Sequence, residues 1–313
     1  MRTAVLALGG NALARAGERP TITNQFRHAR DSVAPIVELA RQGWGIAIVH
    51  GNGPQVGDEL VRNEVARRVV EPLPLGVLVA NTAGWIGYML QQSLQNALRF
   101  GRVERDVITV ITQTRVDPYD PALNHPTKPI GHALPDDLAD QLREAGVAVG
   151  RDGAGRWRRL AASPVPLGIV ELPLVQRLIG QGVIVVAAGG GGPPVYDHPL
   201  LGYEGLEAVV DKDRVAAILA HQLGAEVLMI LTDVDAVYAD WGTPAARPLR
   251  RLTLAEVDAL VTSGGVNEGG MRPKVEAAAE FARVSGGRAI IARLNDGPAA
   301  LRGEAGTTIV RAE

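Results

Sequence analysis

Two short apolar runs near the N-terminus each stop at a turn of glycine and asparagine, and each turn gives way to a helical pattern. Ala4-Val5-Leu6-Ala7-Leu8 leads into Gly9-Gly10-Asn11-Ala12, and Gly45-Ile46-Ala47-Ile48-Val49 leads into His50-Gly51-Asn52-Gly53-Pro54. A continuous, non-alternating run of this length reads as a strand covered on both faces, which asks for a sheet with helices on either side. A strand that hands over to a helix through glycines leaves backbone N–H groups and a positive helix end aimed at one spot. Two such turns at one sheet edge suggest a phosphate or phosphoryl group held between them. Neither turn ends in Gly-Lys-Ser/Thr and neither fits G-x-G-x-x-G, so the common nucleotide fingerprints do not apply.

The same kind of run recurs at Val107–Ile111, Val183–Ala187, Val227–Leu231 and Ala289–Ile291. Helical patterns fill residues 24–42, 55–70, 76–99, 169–181, 212–223, 253–263 and 273–285. This alternation predicts an α/β fold with a mostly parallel, doubly wound sheet, whose ligands gather beyond the carboxyl ends of the strands. The rhythm fails between Asp117 and about Pro166, where proline, glycine and charge dominate. A structureless loop of that length is unusual in a compact domain, so the segment reads as an inserted lobe or lid.

Composition narrows the chemistry. The chain has no cysteine, which removes disulfides, zinc–thiolate sites and thiol catalysis and suits a reducing compartment. A net charge of −2 over 313 residues gives no reason to expect nucleic acid or a membrane surface as partner. No apolar stretch approaches the ~20 residues that cross a bilayer. The first residues enter a strand directly, without a charged-then-apolar leader, so a cytoplasmic location is expected. The 6 histidines show no metal-cage spacing.

Several residues remain that could carry chemistry. Gly189-Gly190-Gly191-Gly192 follows the fourth run and costs backbone entropy, which close approach of a ligand to the main chain would explain. Asp211-Lys212-Asp213 opens a helix; a charged N-cap accounts for the aspartates but not for a lysine at a positive helix end. Lys274, behind Pro273, stands against the helix dipole in the same way. Lys128, between Pro126 and Pro129, is either a solvated turn residue or a side chain presented in a fixed direction. Asp233 and Tyr238 lie at and beyond the end of the fifth run. Lysines, glycine turns and carboxylates without a base-activated nucleophile suit phosphoryl transfer, in which the protein mainly positions anions and neutralises developing charge.

With these residues assembled, the chain resembles the carbamate kinases of the amino-acid kinase superfamily. The matching segments are Leu8–Ala12, His50–Gly57, Ile86-Gly87-Tyr88, Pro126–Gly131, Gly155–Arg159 with Ser163-Pro164, Gly189–Gly192, Asp211–Asp213, Leu231–Asp235 and Met271–Lys274. The second segment and the proline-bracketed lysine are the most specific. The resemblance implies a three-layer αβα sandwich with a protruding lid subdomain at 117–166, inserted in an N-terminal lobe 1–200 that binds the carbamate or phosphoryl group. Residues 201–313 would form the nucleotide-binding lobe, and the whole would be a homodimer.

The activity implied is reversible transfer between ATP and carbamate with Mg²⁺, giving carbamoyl phosphate and ADP, running towards ATP in arginine or carbamoyl phosphate catabolism. Gly9, Gly10, Asn11, Gly51, Asn52 and Gly53 would bind the carbamoyl and phosphoryl oxygens. Lys128, Lys212, Asp213 and Lys274 would be catalytic. Gly190, Gly191, Asp211, Asp233, Tyr238, Met271 and Lys274 would serve the nucleotide, and no protein side chain is assigned to the metal. Three departures stand out: Ala83-Gly84-Trp85 where members often have Gln-Gly-Ser or Gln-Gly-Met, Gly269-Gly270-Met271 in place of Gly-Ser-Met, and Gly131-His132-Ala133 in place of Gly-Pro-Phe. A kinase of another small carboxylate or phosphonate, or a nucleotide-binding regulator without catalysis, is the alternative.

Overall fold

The computed structural model describes residues 1–10, 13, 18–19, 21–266 and 270–311. Among these residues eight strands form the central sheet: β1 Thr3–Leu8, β2 Gly45–His50, β3 Val107–Thr109, β4 Ile184–Val186, β5 Val227–Thr232, β6 Arg251–Thr253, β7 Arg288–Arg293 and β8 Thr307–Val310. Their order is β6-β8-β7-β5-β1-β2-β4-β3, and every neighbouring pair is parallel except β7 with β8. All six strand-like runs in the sequence lie in this sheet. The sheet is continuous across the chain, since β5 pairs with β1 and Leu231 stands opposite Leu8.

Among the described residues ten helices accompany it: α1 Ile22–Ser32, α2 Ala34–Arg41, α3 Gly53–Ala66, α4 Leu75–Phe100, α5 Asp136–Glu144, α6 Leu172–Gly180, α7 Lys212–Gln222, α8 Leu254–Thr262, α9 Arg272–Ser285 and α10 Gly297–Leu301. One face of the sheet (Val5, Ala47, Val185, Ile230, Ile291) packs against α6, α7, α8 and α9. The other (Leu6, Ile48, Val186, Met229, Ile290) packs against α1, α2, α4 and α10. Alternate strand residues thus go to opposite cores, which is why the strands read as unbroken apolar runs. The result is the three-layer α/β sandwich that the alternation and the resemblance predict.

Residues 117–166 are not a loop. Lys128–Ile130, Trp157–Ala161 and Val149–Arg151 make a three-stranded antiparallel sheet with α5 alongside. A small third core of Val56, Leu60, Leu78, Val79, Ile130 and Ala161 joins this unit to α3 and α4. Backbone approach there is very close: a Cβ on Gly57 would lie 1.8 Å from the Cα of Gly131. Only a pair of glycines lets α3 and the inserted sheet meet at this point.

Candidate active site

The parallel pairing of β5, β1 and β2 brings three strand ends to one edge, with Leu8 opposite both His50 and Leu231. Three helix N-termini converge beyond that edge. α3 opens at Gly53-Pro54, α9 at Arg272-Pro273, and α7 at Lys212 behind the N-cap Asp211. Each adds a partial positive charge, and two place a lysine in the first turn.

Between them lies a cavity of about 250 Å³, room for a small anion rather than a large ligand. Gly10, Gly51, Asn52 and Gly53 form one wall; Lys212, Asp213 and Lys274 form the other. Lys128 and Asp211 close one side, and Gly190 lies in the floor. The lysine passes close to Gly51: a Cβ there would come within 3.1 Å of Lys212 Cδ and 3.0 Å of the Gly10 nitrogen. The aliphatic stem of Lys212 therefore runs across the second glycine turn.

The charges are interlocked. Asp213, almost fully buried, accepts from Lys212 Nζ at 2.8 and 2.9 Å and from Lys274 Nζ at 3.2 Å. Burial favours a protonated Asp213, but Lys212 and Lys274 outweigh it and hold the carboxyl below its usual range. Burial likewise opposes the charge on Lys212; Asp213 and Asp211 outweigh that and raise its pKa. Lys274 goes the other way, lowered by burial and then by the like charge of Lys212. One carboxylate thus holds two ammonium groups side by side facing the glycine turns.

Asp211 has two tasks. Its Oδ1 caps α7 by accepting from the amides of Asp213 (2.9 Å) and Arg214 (3.3 Å). Its Oδ2 accepts from Lys128 Nζ at 2.8 Å, tying the inserted sheet to the helix start. Burial would raise its pKa, yet Lys128 and Lys212 bring it far below the normal carboxylate range.

A second cavity of about 250 Å³ adjoins the first and shares Gly270 and Lys274 with it. Thr232, Asp233, Tyr238, Val266 and Met271 line it, together with Trp241, which the sequence analysis did not single out. The Trp241 ring meets Tyr238 edge-on at 5.1 Å, and Tyr238 donates to Asp235 at 3.1 Å. A tryptophan three residues beyond Tyr238 is the signal the sequence carries for it.

Not every expected residue reaches a cavity wall. Gly9 does not: its N–H donates to Leu231 O and extends the sheet ladder. The Gly51 N–H is spent in the same way on Leu8 O, although Gly51 itself lines the cavity. Gly191 is also outside the wall; a Cβ there would meet the Val210 carbonyl at 2.4 Å. Close packing against protein atoms accounts for that glycine. Asn11 and Gly269 lie outside the described residues. Of the three departures, His132 reaches from the inserted unit to Asp58 of α3 at 3.0 Å, and Trp85 packs on the α1/α2/α4 core. Ala83 sits beside His50, whose Nδ1 donates to the Gly51 carbonyl at 3.1 Å and whose ring is fully buried.

The profile of the amino acid kinase family matches residues 2–293. The chain belongs to the amino acid kinase family. Among individual relatives of this amino acid kinase, the carbamate kinase of Pyrococcus horikoshii is 41% identical over 97% of the chain and 98% of its own length. That of Escherichia coli K12 is 43% identical over 99% of both. The carbamate kinase of Giardia lamblia bound to AMP-PNP superposes with a TM-score of 0.92, at 36% identity over 99% of both chains.

Proposed function

We propose that this amino acid kinase is an ATP:carbamate phosphotransferase that interconverts ATP and carbamate with ADP and carbamoyl phosphate, and works in the direction that makes ATP. The observation that carries the reading is Asp213 holding Lys212 and Lys274 together, opposite the glycine turns and between two adjoining cavities. The acyl substrate occupies the cavity of Gly10, Asn52 and Lys128, and the nucleotide the cavity of Asp233, Tyr238 and Met271. Lys274 borders both, so the phosphoryl group crosses past it. Relatives about 40% identical over their full length carry the carbamate kinase name, which supports the same substrate.

In the ATP-forming direction a terminal β-phosphate oxygen of ADP attacks the phosphorus of carbamoyl phosphate. The bond from phosphorus to the carbamoyl oxygen breaks, and carbamate leaves with that electron pair. No side chain needs to become covalently attached. Lys212 and Lys274 offset negative charge on the equatorial and bridging oxygens, and the α3 N-terminus does so from the other wall. Asp213 holds both ammonium groups in place and favours the charged form of each. Lys128, released from Asp211, is free to follow the acyl substrate.

Mg²⁺ fits this arrangement as a companion of the nucleotide. Among the described residues no cluster of three or more carboxylate, imidazole or thiol groups could hold it, and Asp213 is already engaged by two lysines. The nucleotide's phosphate oxygens would supply its ligands. When bound it adds charge neutralisation to that of the lysines. A homodimer and a cytoplasmic location belong to the same reading; α4 leaves Val77, Tyr88 and Phe100 exposed for such an interface, and among the described residues no helix is long and apolar enough to cross a membrane.

The test is a coupled assay of ATP formation from ADP and carbamoyl phosphate with Mg²⁺. Turnover that requires all three supports the assignment. A purified, folded protein that makes no ATP from carbamoyl phosphate contradicts it.

A further inference from the structure

Asn52 lines the acyl cavity, but which end of its amide faces that cavity is decided in α4. Thr82, fully buried there, has its Oγ1 2.8 Å from Leu78 O and 2.9 Å from Val79 O. Oxygens so close repel unless a proton lies between them, so the hydroxyl proton is committed to these carbonyls and Oγ1 retains only lone pairs. Facing those lone pairs at 2.9 Å must be a donor, and the amide offers one only at Nδ2. Gly190 packs against the same amide: a Cβ there would sit 2.2 Å from Nδ2, 2.4 Å from Cγ and 2.7 Å from Oδ1, so only glycine leaves room for it. The amide is clamped between Thr82 and the glycine run, with Nδ2 turned towards α4. With Nδ2 committed to Thr82, Oδ1 is the end of the amide left to meet a donor from the cavity that Asn52 lines.

We infer that Thr82 positions Asn52 so that the amide oxygen faces the reacting cavity as an acceptor, and that this oxygen selects acyl phosphates bearing an N–H group over those bearing a methyl. The inference rests on the phosphotransferase reading and refines it, because an amide oxygen repels carboxylate and phosphoryl oxygens. The one part of a carbamoyl group that can donate to it is the amino group. Acetyl phosphate has nearly the same shape with a methyl in that place, and it would leave Oδ1 desolvated and unpaired. A site built to pair with a substrate N–H rejects the analogue that lacks it far more strongly than an apolar pocket rejects a missing methylene. Thr82 is a positioning residue, acting through Asn52.

The experiment measures kcat/KM for carbamoyl phosphate and for acetyl phosphate in the full-length wild type, Thr82→Val, Thr82→Ser and Asn52→Ala. The wild type should prefer carbamoyl phosphate. Thr82→Val, which keeps the volume and removes the lone pairs, should lose about tenfold on carbamoyl phosphate, the worth of one good hydrogen bond. It should change by less than about threefold on acetyl phosphate. Thr82→Ser should restore the wild-type ratio, and Asn52→Ala should bring the two substrates close to parity even if Thr82→Val does not fold. Equal losses on both substrates in Thr82→Val, or an unchanged ratio in Asn52→Ala, would overturn the inference while leaving phosphoryl transfer intact. A wild type that turns over neither acyl phosphate would overturn the reaction assignment and the selection with it.

Discussion

Asp213 is the residue on which the site's electrostatics turn. Replacing it with asparagine leaves two buried ammonium groups with half their partner gone, and breaking a buried pair in this way costs about 3–5 kcal/mol. Asp213→Asn should therefore melt well below the wild type, and inorganic phosphate should recover part of the loss by replacing the missing charge. Thermal melts with and without phosphate check this; a melt indistinguishable from wild type would contradict it. His50 makes a different prediction. Burial lowers its pKa from 6.5 to about 4, against the opposing pull of main-chain hydrogen bonds at Gly51 and Ala83. The unfolded chain then binds a proton that the folded chain refuses between these values. Stability is full above pH 6.5 and falls by about 3 kcal/mol as the pH drops to 4. His50→Asn should lack that component of the acid slope, as paired denaturant titrations at pH 7 and pH 4.5 would reveal. Residues of this kind differ sharply in how far the sequence discloses them. Lys212 and Lys274 were readable because a lysine in the first turn of a helix violates the dipole preference. Thr82 was not, because its meaning depends on Asn52, thirty positions away in the chain. Gly9 marks a limit of the sequence: a glycine after a strand looks the same whether its amide meets an anion or, as here, the Leu231 carbonyl of a neighbouring strand.

At the scale of elements, long runs and strong periods were legible and short pieces were not. All six apolar runs became sheet strands, whereas β6 and β8, short and carrying arginine or threonine, gave too little pattern to notice. The stretch 24–42 looks like one helix but is two, α1 and α2, separated at Val33. Pro35 has no N–H to continue the first helix and suits the first turn of the second. The inserted unit escaped a detailed reading because strands of 3 to 5 residues are too short to display alternation. Its docking is testable through Asp211, whose two oxygens have separable tasks. Asn caps a helix about as well as Asp but cannot pair with an ammonium group. Asp211→Asn should keep the melting temperature within a few degrees, shift the KM for the acyl substrate severalfold, and expose the 117–166 segment to faster proteolysis. Unchanged kinetics and proteolysis would mean that Asp211 serves only as a cap. Gly57→Ala addresses the same junction from α3: with no room for a Cβ, the inserted sheet must move outward, and turnover should fall while ADP affinity survives. Calorimetric titration with ADP beside the turnover assay would separate the two.

The whole molecule explains why neither half of the chain suffices. The acyl wall comes from the ends of β1 and β2 and the start of α3, while Lys212, Asp213 and Lys274 come from α7 and α9. The β1–β5 pairing brings them together across more than two hundred residues of sequence. This also shows why the alternation of strands and helices indicated the sheet edge but not the partition of roles between neighbouring glycines. The central claim is that paired ammonium groups facing the glycine turns neutralise a moving phosphoryl group. Its most direct test is single-turnover ATP formation from enzyme-bound ADP and carbamoyl phosphate, comparing wild type with Lys212→Ala, with ADP affinity measured by calorimetry on the same samples. Transfer should fall by roughly a thousandfold, the scale of losing one transition-state charge partner, while ADP affinity changes only a few-fold. Transfer near the wild-type rate in a folded Lys212→Ala protein would contradict it.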